Sequence, residues 1–131
     1  MRYLPHPSRE RIELAAVLDA LSDPTRLAIV VDLARREDEW EARCGAFNHL
    51  ASKTNLTYHF AKLREAGITH ARAEGTSRFI SLRREDLDAR FPGLLDTIIT
   101  AARAAAPKPP SPLKHAEAEI RRAGRKRAQA G

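Results

Sequence analysis

Apolar positions recur every three to four residues along most of this chain, and alternate at strand spacing over one short stretch. Residues 9–21 carry Ile12, Ala15, Ala16 and Leu18, with Leu14 and Val17 weaker in phase; with Ser8 as cap they predict a first helix, more apolar than a surface helix requires. Ser22-Asp23-Pro24 is a stop and restart, a capping side chain followed by proline at the first helical position, where a missing N–H costs nothing. A second helix, Pro24 to Arg36, buries Leu27, Val30 or Val31, and Leu33 or Ala34. Residues 37–43 read as an acidic loop in which Trp40 is a packing plug. A short helix over Gly45–Leu50 and a turn near Ala51 lead to a longer helix capped by Ser52 that lasts to Ala66, where Gly67 supplies the left-handed terminal residue. Thr69–Ala73 and Arg78–Leu82 then form a hairpin through Glu74-Gly75-Thr76-Ser77. Arg84–Arg90 makes one or two helical turns, and Pro92 opens a last apolar helix through Leu94, Leu95, Ile98, Ile99 and Ala102. Pro107, Pro109, Pro110 and Pro112 form a stiff linker, and beyond it Leu113 and Ile120 are too little apolar surface to hold a basic helix over 113–127. This divides the chain into a folded domain, 1–106, and a basic, disordered tail, 107–131.

The helix over 53–66 has a chemically distinctive outer face. At about 100° per residue, Leu56, Phe60 and Leu63 form the inward stripe with Lys53 at its edge. Opposite lie Thr54, Thr57, Tyr58, Ala61 and Lys62, with Asn55 on the flank. Hydroxyls and an amide can contact base edges, lysine can reach guanine or phosphate, and no carboxylate opposes the approach of a polyanion. An ordinary amphipathic surface helix would look similar in isolation. The order of elements decides between the two: short helix, tight turn, capped helix, then a hairpin with Arg72, Arg78 and His70 near its Gly75 tip, able to reach a minor groove or the sugar-phosphate backbone. The expected fold is mostly α with a small β-hairpin, a winged helix-turn-helix.

Size and charge narrow the reading further. A chain of 131 residues holds one modest core, to which a second copy would add burial. No apolar run approaches ~18 residues, the first residues lack a secretory h-region, and the lone Cys44 excludes an internal disulfide framework, so a cytoplasmic protein without a membrane span is expected. Of the formal charge of +6, seven basic residues against Glu117 and Glu119 place +5 in residues 107–131. That tail is either a solvated extension or a non-specific phosphate-binding arm. Neither a phosphate-binding glycine loop nor H-E-x-x-H, C-x-x-C or G-x-S-x-G occurs, so no enzyme and no cofactor is expected. His59 reads as a packing or phosphate-contacting residue, His115 and Glu119 as a poor ligand pair, and His6 and His49 as without partners. A protein-binding module would want an apolar outer face and an RNA binder aromatic platforms; neither is present.

Leu21-Ser22-Asp23-Pro24-Thr25-Arg26-Leu27-Ala28-Ile29-Val30, the run Ser52 to Gly67, and Glu74-Gly75-Thr76-Ser77-Arg78-Phe79 together resemble the ArsR family of winged helix-turn-helix repressors, over residues 11–103. The resemblance implies a homodimer joined through its first and last helices, with two recognition helices on the half-sites of a palindrome roughly 34 Å apart. Thr54, Asn55, Thr57, Tyr58 and Lys62 would then read or position on bases, and Ser52, Lys53, Arg72 and Arg78 would hold phosphates or the minor groove. The metal sensors of that family carry paired cysteines where this chain has Cys44 alone, or His and carboxylate ligands on a last helix that here offers only Asp96, so no metal site is expected. Cys44 is a half-buried structural thiol or a redox switch. Tyr58 stands where relatives often have a second histidine beside His59, which implies a different target sequence. The expected function is a repressor that binds double-stranded DNA and blocks polymerase, with an organic inducer at the dimer interface or none; the alternative is an architectural DNA-binding protein driven by the tail.

Overall fold

Asp23 sets the first fixed point of the architecture. Its carboxylate accepts the Thr25 and Arg26 amides at 2.8 and 3.0 Å, and Pro24 takes the first helical position, so two orphan donors are satisfied and a third never exists. In the computed structural model, which describes residues 4–36 and 41–105, the helices are α1 (Leu14–Leu21), α2 (Pro24–Arg35), α3 (Lys53–Glu65), α4 (Arg84–Arg90) and α5 (Leu94–Ala105). Between α3 and α4 runs an antiparallel ribbon of β2 (Thr69–Glu74) and β3 (Ser77–Leu82). A two-residue strand β1 (Ala42–Arg43) pairs with β3 at Ile80 and Phe79, giving the order β1-β3-β2. This is a winged helix-turn-helix, as the pattern of periods predicts.

The core gathers where α2, α3 and the sheet meet. Ile29, Val30, Phe47, Leu63, Ile68 and Ile80 are fully buried there, each contributing roughly 1.5–3 kcal/mol of apolar transfer. On α2 it is Val30 rather than Val31 that is buried, Leu33 and Ala34 both are, and Ile29 joins them while Leu27 is only half-buried. Helix α5 seats Leu95 and Ile99 against α2 and α4.

Several local expectations are corrected. The first helix does not run unbroken from Arg9: Ser8 precedes a 3-10 turn over Arg9–Arg11 without a side-chain cap, Ile12 and Glu13 are extended, and α1 begins at Leu14. Tertiary packing overrides helix propensity here, because Ile12 plunges into the core beneath Gly67, to 1% exposure. The break also resets the phase, so Val17, Ala20 and Leu21 face inward while Leu14 and Leu18 face out. The segment read as loop ends in strand β1, whose two residues are too few to show a period. The short helix is a 3-10 turn over Cys44–Phe47, and the last helix starts at Leu94, after Pro92 and a left-handed Gly93 (φ 79°). The hairpin strands each extend one residue further toward the tip than predicted, leaving Gly75-Thr76 as the turn. Trp40, the rest of loop 37–40, the proline linker, His115 and Glu119, and the tail lie outside the described residues. Among the described residues no helix is long and apolar enough to cross a membrane.

Candidate nucleic-acid interface

Helix α3 is held at both ends by what its sequence supplies. Ser52 Oγ accepts the Asn55 amide at 3.2 Å, and Gly67 closes the helix at φ 81°. A Cβ at Gly67 would also lie 2.5 Å from Ile12 Cγ1, so both backbone and packing require glycine. Leu56 and Leu63 are buried, and Phe60 sits edge-on to Phe47 with centroids 5.8 Å apart. That seating turns Lys53, Thr54, Asn55, Thr57 and Tyr58 outward, Tyr58 at 57% exposure. Lys62 is half-buried with its ammonium 5.5 Å from the Tyr58 ring centre, a cation–π pair that places a positive charge beside the phenol. Thr57 Oγ1 donates to the Lys53 carbonyl at 2.9 Å, which commits its proton and leaves its lone pairs as acceptors.

A buried polar lock orients this helix on α2. Arg26, 9% exposed, donates from Nε to the Ala20 carbonyl at 2.6 Å, at the end of α1. Its Nη1 lies 3.3 Å from Nδ1 of His59 on α3, and the same nitrogen is 3.9 Å from Asp23 Oδ1. The Arg26 amide, more than any other group, holds the Asp23 carboxyl below its usual range. Asp23, Arg26 and His59 therefore join three helices, and His59 is a positioning residue in the folded protein. Sequence inspection saw the cap and missed the lock, because its third member lies 33 residues from Arg26.

The wing separates the arginines that the sequence placed together. Register pairs Arg72 with Phe79 and Arg78 with Ala73, so the two guanidiniums leave opposite faces of the ribbon. Arg72 stacks over the Phe79 ring at 4.2 Å, donates from Nε to both Glu41 oxygens at 3.0 and 2.9 Å, and reaches Glu74 at 2.8 Å. These carboxylates raise its pKa, and Arg72 in turn lowers that of Glu74. Arg78 is exposed, forms no ion pair with any described residue, and faces α3 across a cleft. Ser52, Lys53, Thr57 and Arg78 therefore share one side of the molecule; Arg72 and His70 line the other.

No protein-family model matches the chain. YceK of Bacillus subtilis (strain 168), itself named an uncharacterized HTH-type transcriptional regulator, is 37% identical over 86 residues, which span 64% of this chain and 84% of YceK. The chain belongs to the helix-turn-helix transcriptional regulators. A crystal structure of an ArsR family transcriptional regulator shares the fold, with a TM-score of 0.53 at 19% identity over 79% of this chain and 100% of that one. The family makes DNA the partner, and the regulator is ArsR-like in architecture.

The remaining candidate side chains of the site are Cys44 and the histidines. Among the described residues, no group of three or more His, Cys, Asp or Glu side chains could hold an ion. Burial pushes the Cys44 thiol up to about 11 from an ordinary 9.0, against an opposing pull from Arg78. His6 is engaged: its Nε2 accepts the Ala71 amide at 2.9 Å, and its ring stacks on His70 at 4.4 Å between centroids. One basic residue on the α3 side, Arg64, falls outside the predicted outward face of the helix. It was legible in principle, since it lies at helical spacing from Lys53, Thr57 and Phe60; Arg43, paired with Phe79, instead places its guanidinium over that ring on the Arg72 face of the sheet.

Proposed function

We propose that this regulator is a homodimeric, sequence-specific repressor that reads a palindromic operator with residues 53–66 and its wing, residues 69–82. The carrying observation is the outward arc of α3, where Thr54, Asn55, Thr57, Tyr58 and Lys62 meet solvent with no carboxylate among them, beside the unpaired Arg78. Those five side chains contact base edges, and Ser52, Lys53 and Arg78 hold the backbone. Arg72 reaches a phosphate only by exchanging Glu41 and Glu74 for it. Leu14 and Leu18, 45% and 47% exposed on α1, support pairing with a second copy through the first and last helices. In this reading residues 1–106 form the reading and pairing unit, and residues 107–131 add salt-sensitive affinity without sequence information. The protein acts in the cytoplasm, without catalysis, by occupying the operator against polymerase. Cys44 is a structural thiol, because a redox sensor reacts as thiolate and burial keeps this one protonated at neutral pH.

Selection of bound duplexes from a random pool at near-physiological salt tests this. The expected result is an inverted repeat with half-sites about one helical turn apart, and Tyr58→Ala should change which sequence is recovered. Salt-sensitive binding with no recovered motif would instead favour an architectural protein driven by its basic tail.

A further inference from the structure

Between α3, β1 and the α3-facing side of the wing lies a cleft of about 890 Å³, within the range of small-molecule sites. Lys53, Arg64 and Arg78 line it, and no acidic side chain among the described residues does. None of the three cations has an ion-pair partner among the described residues. Arg64 goes further: its Nε is buried and has no hydrogen-bond partner. A buried donor left unmet is costly, more so for a charged group, so an acceptor arriving beside it is favoured. The rest of the lining is substantially apolar, including the half-buried Phe60 and Cys44. A duplex keeps its phosphodiesters on the surface and has no use for apolar walls.

We propose that this cleft binds an organic anion, an acidic head on an apolar body, and that occupancy excludes DNA. The head pairs with Arg64 and Arg78, and the body lies against Phe60. The competition follows from shared groups: Lys53, Thr57 and Arg78 line the cleft and also belong to the DNA-contacting set. This second clause rests on the repressor reading above; the anion site does not.

The test uses the full chain and two probes, decanoate and 8-anilinonaphthalene-1-sulfonate, with acetate supplying charge without a body and decanol a body without charge. Calorimetric titration should show both probes binding at least about tenfold tighter than either control. Arg64→Met should weaken both by about tenfold or more without lowering the melting temperature. If Arg64→Met fails to fold, Arg78→Ala on the wing is expected to show the same loss. Decanoate should release a fluorescein-labelled duplex from the wild type and not from Arg64→Met. Failure of both probes to bind, acetate matching decanoate, or binding that neither variant weakens would overturn the site. Simultaneous binding of decanoate and duplex would overturn the competition. Loss of DNA binding in every condition, with decanoate still held through Arg64, would retire the repressor reading and the competition with it and leave the anion site standing.

Discussion

The β2–β3 ribbon divides two clefts of similar size, about 890 and 780 Å³, that treat their cations in opposite ways. On the α3 side, Lys53, Arg64 and Arg78 stand without an ion pair among the described residues. On the far side, Arg72 is held by Glu41 and Glu74, Arg83 by Asp86 at 2.9 Å, and Arg84 by Asp96 at 2.7 Å. The far-side arginines also tie down the chain's entry, with Arg83 donating to the Pro7 carbonyl at 2.7 Å. A count of arginines would not distinguish the two surfaces. Pairing does: cations neutralised by carboxylates brace the fold, whereas a cluster of unpaired cations raises a local potential that an incoming polyanion relieves.

The contrast can be broken most severely at the joint that holds α3 against the ribbon. Gly67→Ala forces an alanine into φ 81° and drives its methyl into Ile12, and we expect a loss of about 3 kcal/mol in a urea titration, from left-handed strain and overpacking together. On the unpaired side, Arg78→Ala should weaken every duplex about tenfold at near-physiological salt and reduce the slope of log affinity against log salt by about 1. An unchanged slope would remove Arg78 from the DNA-facing set. On the paired side the same kind of change should act in reverse. Glu41→Gln releases Arg72 and removes a negative charge, and duplex affinity should rise by about threefold with a steeper salt slope. A fall in affinity would show that the wing must be braced in order to bind.

The smallest effect concerns pH. Burial first, and His70 next, hold the His6 pKa below 6.5, and its Nε2 must stay unprotonated to accept the Ala71 amide. A depressed folded pKa means that the unfolded chain binds the extra proton more readily. The stability gained from this contact is therefore present above about 6.5 and lost as pH falls below it, down through the folded value. Melting temperature should drop between pH 7.5 and 5.5, and His6→Gln, which keeps an acceptor, should flatten that drop. The depressed carboxyls, Asp23, Asp32 and Asp86, begin from 3.8 and titrate lower still, outside this window.

Much of the fold could be read from local chemistry. Asp23 with Pro24, Ser52 and Gly67 mark helix boundaries because each answers a need of the backbone within a few residues of itself. The outward arc of α3 follows from periodicity alone once Leu56 and Leu63 are assigned inward. Two of the misreadings come from contact between distant segments, and a third from the alternation of side chains along the hairpin. Ile12 leaves helical geometry to fill space beneath Gly67, 55 residues later in the chain. Strand β1 exists because β3 offers an edge, and Arg72 and Arg78 part company because the hairpin register sends successive residues to opposite faces.

By itself the sequence determined the order of the main helices and the hairpin, the caps at Asp23, Ser52 and Gly67, and which helix presents a polar, carboxylate-free face, since periodicity, caps and turn residues act over a few positions. Only the tertiary structure decided which cations are free. Glu41 meets Arg72 across 31 residues, and Arg26 meets His59 across 33. Ion pairing depends on distances of a few ångströms between side chains from separate elements, and no local pattern encodes that geometry.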